Sequence, residues 1–361
     1  MPYCFNVPIN SLSFGQTSLG ILNECYKRDL DVLIQPIGSN LDLSSGFNDE
    51  KFKNWLLKNT SRFLKEFKRS NKIFKLWHLN GGLESFAEKQ ILMSFYELSS
   101  PTEEEINTVK NNFVTAFASE YFTNLFKENG CSNVQKIQLA FDKNNFSKID
   151  KNYSQDRVVF NLTGKLEKRK HHLKIISLWA KKYGNNPKYS LQCAIYNPFL
   201  KVEDQQALIS SALENKRYFN ITFLNFMQSN SSYNDYLNSG NIVLGLSGGE
   251  GWGLPEFHSV GIGKYGVILD AHGYQEWANE ENAVLVKPSK NKIEAYDDIF
   301  FKKGDRFNQG EIFDFSEEAF YEACQKAEQK YLNNRINEAG LKIQEDFSIN
   351  KTTDKILKLL E

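Results

Sequence analysis

Short apolar runs alternate along most of the chain with stretches whose apolar positions recur every third or fourth residue. That alternation is how a parallel sheet flanked by helices is written in sequence. In the first half it predicts strands near 3–7, 31–36, 73–78, 91–97, 113–119 and 134–140. Helical spacing occupies 18–27, 51–69 and 120–128. In the second of these, Phe52, Leu56, Phe63 and Phe67 share one face, while Lys58, Arg62, Lys65 and Arg69 share another. The helix is therefore expected on a domain surface with its basic side outward. Pro101 followed by Glu103, Glu104 and Glu105 opens a further helix, with proline in its first turn and carboxylates where the dipole favours them.

The stretch 141–156 is polar with no clear period and divides the chain. After it the pattern restarts: strands are expected at 158–162, 190–196, 220–224, 242–246 and 266–269, with a helix over 165–178. Two sheets of the same kind follow, one per half. The expected division is an N-terminal domain over 1–150, a C-terminal domain over 151–340, and an amphipathic helix in 341–361 that packs back on the N-terminal domain.

Composition narrows the classes. A chain of 361 residues corresponds to about two domains of typical size. Lysine plus arginine number 44 and aspartate plus glutamate 44, so no global field draws the protein to nucleic acid or anionic lipid. Five scattered cysteines without a C-x-x-C pair argue against a disulfide framework or a structural zinc and fit a reducing, cytoplasmic setting. No apolar run approaches the ~20 residues of a membrane span.

The densest chemistry lies in the segment from Leu246 to His258, which follows a buried-looking strand and carries Gly248, Gly249, Gly251 and Gly253. Glycines there allow backbone to approach a ligand closely. Pro255 then suits the first turn of a helix. Unpaired N–H groups at such a helix start, on the carboxyl edge of a parallel sheet, form an anion site. Glu250 amid those donors would repel a bare phosphate, so it is better aimed at hydroxyl groups beside the anion. A sugar joined to a diphosphate meets both demands. No lysine followed by serine or threonine closes the turn, so it is not a nucleotide-hydrolase phosphate loop.

From Glu250-Gly251-Trp252-Gly253-Leu254-Pro255 to Gly263-Lys264 and Val267-Ile268, the sequence resembles a segment of retaining GT-B glycosyltransferases, family four in particular. Gly164-Lys165-Leu166 through Lys170, Ala118-Ser119-Glu120-Tyr121-Phe122 and Phe347-Ser348 are similar to further segments of that family. The resemblance implies an α/β GT-B fold of two facing Rossmann-like domains, the second holding a nucleotide-diphosphate sugar and the first a hydroxyl acceptor. It implies transfer with retention of anomeric configuration, no metal, and no cofactor beyond the donor substrate. Carried over by position, Glu250 holds donor-sugar hydroxyls, Lys165 and Lys170 meet the diphosphate, and Gly164, Gly251, Gly253 and Leu254 complete the cradle. Two positions depart from the family. His258 stands where a second glutamate usually binds the ribose, and Lys165 replaces an arginine, exchanging a bidentate fork for a point charge.

His78, at the end of an apolar strand, is the candidate that reaches the donor sugar from the first domain; the alternative is a strand-end histidine satisfied by backbone. His272, in the next crevice loop, either lines the sugar pocket or serves a turn. Ser13 and Gly15 follow the first strand as a candidate cleft loop. Aromatics, cations and amides over 300–310 suit carbohydrate or base contact, or else a loop that anchors its neighbours. Nine cations against one glutamate over 51–75 permit a polyanionic acceptor or surface. Two further readings accompany the leading one: a phage-type enzyme glycosylating a hydroxymethylated DNA base, and a non-catalytic nucleotide-sugar binder on the same scaffold.

Overall fold

The computed structural model describes residues 1–38, 41–46, 49–151, 153 and 156–361, so part of the expected divide at 141–156 lies outside the described residues. Two six-stranded sheets, all parallel, carry the fold. The first contains β1 (Tyr3–Pro8), β2 (Val32–Ile37), β3 (Lys72–Leu76), β4 (Lys89–Ser94), β5 (Val114–Phe117) and β6 (Val134–Lys136), ordered β2-β1-β3-β4-β5-β6. The second contains β7 (Val158–Thr163), β8 (Tyr189–Ala194), β9 (Ile221–Phe223), β10 (Ile242–Gly245), β11 (Tyr265–Leu269) and β12 (Val284–Val286), ordered β12-β11-β10-β7-β8-β9. Each strand expected from apolar runs is present. β12 was not foreseen, because Val284-Leu285-Val286 is too short to show a period.

The inner strands β1, β3, β4, β5, β7, β10 and β11 are buried on both faces, which is why they read as continuous apolar runs rather than alternating ones. Phe5 and Phe74, on neighbouring strands, meet edge to face at 6.0 Å and are fully buried, as are Leu19 and Leu22 of helix α1 (Ser13–Lys27). In the second domain Phe160 packs on Trp179 and Tyr183 of helix α5 (His172–Tyr183). Each such fully buried ring contributes roughly 1.5–3 kcal/mol.

Two boundaries differ from expectation in ways that matter for the site. Helix α1 begins at Ser13, so Ser13 and Gly15 lie in its first turn rather than in a loop. A Cβ on Gly15 would come within 2.3 Å of the Asn10 carbonyl, so glycine lets the preceding segment fold over the helix. Helix α5 starts at His172 rather than Lys165. Residues 165–167 are irregular, Lys168–Lys170 make one 3-10 turn, and His171 is left-handed with φ +55°.

Helix α2 (Glu50–Glu66) buries Phe52, Leu56 and Phe63 as its spacing predicts. Its basic face is less free than the cation count suggests. Arg62 pairs with Asp31 at 2.9 Å and Glu66 at 2.6 Å, and farther along the basic stretch Lys75 of β3 is buried and donates to the carbonyls of Gly81 and Glu84. The last helix, α12 (Ile349–Leu360), lies against α1 and reaches β3 through Lys72 Nζ, which donates to the Leu359 carbonyl at 3.1 Å. Among the described residues no helix is long and apolar enough to cross a membrane. All five cysteines are unpaired and buried.

A strap from the second domain crosses to the first. It leaves β13 (Ile293–Glu294) and returns through β14 (Glu311–Ile312). Thr102 Oγ1 donates to the Arg306 carbonyl at 2.6 Å, and the Asn308 N–H donates to Glu105 Oε1 at 2.8 Å. Leu98 is buried with Ala295, Phe301 and Ile312. The aromatic loop thus anchors two domains.

Candidate active site

In open parallel sheets, ligands bind beyond the strand carboxyl ends where the strand order reverses. Here the reversals fall between β1 and β3 in one domain and between β7 and β10 in the other. Both open on one interdomain cleft of about 970 Å³.

On the second-domain side β7 ends at Gly164, with φ +107°. A Cβ there would press on the Lys170 side chain at 3.1 Å, so glycine opens the path by which Lys170 reaches the cleft. The turn is held from behind: His172 Nε2 bonds the Thr163 carbonyl at 2.9 Å and His171 Nε2 the Phe313 carbonyl at 2.7 Å. Its three nearby cations then take different partners. Lys165 Nζ, two-fifths exposed, sits 3.0 Å from Glu167 and over the rings of Phe199 and Phe300. Lys170 is buried, and its Nζ donates to Glu250 Oε2 at 2.6 Å. Arg169 is buried deepest. Its Nη1 donates to the Gly249 carbonyl at 2.6 Å and to Glu250 Oε2 at 3.1 Å. Its Nη2 meets Glu97 of the first domain at 2.8 Å. Its Nε lies 2.8 Å from Glu167, an ion pair whose N–H direction falls short of a hydrogen bond.

The glycine turn is locked to the cationic turn, for the Gly248 N–H and Ser247 Oγ both donate to the Arg169 carbonyl. Several of its glycines are needed for packing as much as for ligand access. A Cβ on Gly248 would meet the Phe313 carbonyl at 2.1 Å, and one on Gly249 the Glu97 carbonyl at 2.6 Å. Gly251 and Gly253 do line the cleft. Gly253 is left-handed at φ +82° and stands where a Cβ would strike the Tyr274 ring at 2.2 Å. Helix α8 (Leu254–Gly261) starts there. Pro255 has no N–H, and the Glu256 carboxylate turns back on its own N–H, so the donors left at the helix start are those of Gly253 and Leu254.

Burial works against ionising Glu250, but Lys170 and then Arg169 outweigh it and hold the carboxyl down at about 2. Two other carboxyls move the opposite way. Burial raises Glu256 to about 7 even with Lys170 near, and its Oε2 has no hydrogen-bond partner. Burial likewise raises Glu97 to about 7; Arg169 opposes that rise and Glu250 adds to it. Its side chain is still a quarter exposed toward the cleft.

The other sequence-selected residues divide. Lys165, Lys170, Gly164, Gly251, Gly253, Leu254, Glu250, His258, His78 and Ser13 all line the cleft. His78 follows β3 from the opposite wall, its ring open to the cleft and 4.5 Å from that of Phe14. Desolvation there, and then the Lys165 ammonium, lower its pKa. His258 is buried, its ring stacked at 4.1 Å on Phe146 with Nε2 unpartnered; burial lowers it to about 3, so it is neutral. His272 and Gly15 are not part of the wall. His272 is buried, left-handed, stacked on Phe122 and bonded through Nε2 to the Gly248 carbonyl at 2.6 Å. It closes the glycine turn against the first domain. No residue of 51–75 lines the cleft.

Arg169 and Glu97 were missed. Arg169 stands in a run of three cations that look alike in sequence, and nothing local marks that Arg169 and Lys170 turn inward while Lys168 does not. The one available signal for Glu97 is its place at the carboxyl end of a predicted strand, which in the structure already ends at Ser94.

No protein-family model and no curated protein sequence matches the chain. Solved structures do match over its whole length. Anabaena HepE, in complex with UDP and glucose, superposes with a TM-score of 0.66 at 14% identity, covering 100% of this chain and 99% of that one. Sucrose-phosphate synthase from Thermosynechococcus elongatus gives 0.67 at 13% identity, covering 99% and 98%. WaaG, a glycosyltransferase involved in lipopolysaccharide biosynthesis, gives 0.63 at 10% identity, covering 99% of each. At such identities the likeness concerns architecture, and the architecture is the one expected from the sequence: the chain has the GT-B fold, two facing Rossmann-like domains with a cleft between them.

Proposed function

We propose that the protein is a glycosyltransferase that moves a sugar from a nucleotide-diphosphate donor to a hydroxyl acceptor with retention of anomeric configuration. The observation that carries this reading is the grouping of Lys165, Lys170 and the start of α8 beside Glu250, on the wall that faces His78. In this reading the bond between the anomeric carbon and the phosphate oxygen breaks, and charge gathers on the departing diphosphate. Lys165, Lys170 and the N–H groups of Gly253 and Leu254 are already in place to stabilise it. They supply the positive charge that a divalent cation would otherwise bring, so the transfer uses no metal and no cofactor besides the donor. Glu250, kept ionised by its cations, orients sugar hydroxyls, and His78 approaches the sugar from the acceptor domain. Neutral His258 offers one ring nitrogen to the nucleoside. The acceptor enters along the side of Ser13. Support comes also from the similarly folded HepE, which binds UDP and glucose.

A panel of nucleotide sugars and nucleoside diphosphates tests the donor assignment through melting temperature, since a ligand held by the native state alone stabilises it. At least one should raise the melting temperature, and Lys170→Ala should weaken its binding roughly ten- to hundredfold by calorimetry, the range for a lost charge-assisted hydrogen bond. Binding that is indifferent to Lys170→Ala would place the donor elsewhere, and no binding at all would end the proposal.

A further inference from the structure

Glu97 belongs to the first domain, yet its closest charged partner is a buried guanidinium of the second. That guanidinium is shared. Arg169 also holds the Gly249 carbonyl, Glu167 and Glu250 Oε2. Glu250 Oε2 in turn accepts from two cations, Arg169 and Lys170. A diphosphate arriving at Lys170 competes for that ammonium and leaves Arg169 as the cation that fixes Glu250. The orientation of Arg169 then decides where the Glu250 carboxylate points, and Glu97 is the group that anchors its far nitrogen. The two domains are also joined nearby by the strap, through Thr102 with Arg306 and Glu105 with Asn308. Loss of the Glu97 charge is therefore felt at Arg169 rather than as separation of the domains.

We infer that Glu97 is a positioning residue of the donor site: through Arg169 it lets the acceptor domain set the direction of Glu250, so that the donor sugar is correctly held only when both domains contribute. The inference rests on the glycosyltransferase reading above. It predicts a split between grip on the diphosphate and use of the sugar. Lys165 and Lys170 make the first; the chain from Glu97 to Arg169 to Glu250 makes the second.

The test uses the full chain as wild type, Glu97→Gln and Glu97→Ala, with the nucleoside diphosphate that binds best and its sugar ester. Both variants should bind the nucleoside diphosphate within about threefold of wild type, while kcat falls roughly ten- to hundredfold with little change in donor KM, as for an interaction made mainly in the transition state. The pH profile separates this from a merely structural role. The charges facing Glu97 are Arg169, Glu250, Glu167 and Lys170, and the group titrates at about 7. Ionised above that value it anchors Arg169; neutral below it, it does not. Wild type should therefore lose activity on the acid side around pH 7, and Glu97→Gln should lack that limb at its lower level. Wild-type kcat with an unchanged acid limb in Glu97→Gln overturns the inference and leaves the donor reading standing. Failure of the wild-type protein to bind any nucleoside diphosphate overturns both.

Discussion

Glu250 is a buried carboxylate kept ionised by the two cations it touches. Its carboxyl is held at about 2 against an ordinary value of 4.5 by Lys170 and Arg169, in spite of burial. A carboxyl depressed on folding contributes stability that is present above the unfolded value and is lost as pH falls through the folded one. Glu250→Gln removes this contribution while keeping the shape. In denaturant titrations wild type should exceed the variant in unfolding free energy at neutral pH, and the difference should shrink as pH drops from about 4.5 toward 2. A difference that stays constant over that window would show that the carboxylate draws no stability from its cations. The same variant should lose donor-sugar transfer while still binding the diphosphate, because Lys165 and Lys170 remain. Both variants leave Lys170 and Arg169 without their counter-charge, and Glu250→Ala is the harsher change because it also removes the acceptor oxygen and leaves a gap.

At the scale of elements, α12 shows how a short amphipathic segment ties the ends of the molecule together. Ile356 and Leu357 are buried, Ile349 lies 3.6 Å from where a Cβ on Gly20 of α1 would be, and Asp354 pairs with Arg28. Glu361 accepts a hydrogen bond from the Tyr3 hydroxyl at 3.4 Å. The helix arrives from the second domain's side of the chain yet rests on the first domain, and Ile349, Asn350 and Thr352 reach the cleft. Ile356 is fully buried. Ile356→Ala should therefore destabilise the protein by about 2–5 kcal/mol in urea unfolding, the span for large-to-small changes in a packed core. A loss under about 1 kcal/mol would mean that the helix is held by its ion pairs rather than by its apolar face.

For the whole molecule the decisive feature is that the two domains are joined by several separate contacts beside the cleft. Among them are the strap and the Glu97–Arg169 pair. Adjoining them, the Glu120 N–H donates to Glu276 Oε1 at 2.5 Å, Lys136 pairs with Glu276 at 3.1 Å, and His272 stacks on Phe122. Replacing 296–309 by a short glycine-serine link removes the strap's hydrogen bonds to Thr102 and Glu105. Small-angle scattering should then show a larger radius of gyration for the free protein, reduced again when a nucleoside diphosphate binds. An unchanged radius would show that the contacts left in place, Glu97 with Arg169 and Lys136 with Glu276 among them, suffice for closure.

Hydrophobic periodicity and turn chemistry are local, so a window of a dozen residues was enough to place every strand of the two large sheets except β12, the glycine turn, the helix at Leu254 and Glu250, while Lys165 and Lys170 came from the family resemblance. Those properties travel with the chain wherever it folds. What a window does not contain is the partner of a charge. The helix expected from Lys165 starts instead at His172, because contacts from Thr163 and Phe313 hold the turn before it. His272 faces Phe122 of the other domain rather than a sugar. That Arg169 and Lys170 turn inward, and that Arg169 finds Glu97, was decided by two sheets brought face to face. An ion pair between distant segments leaves no periodicity in the sequence, and only packing brings its charges together.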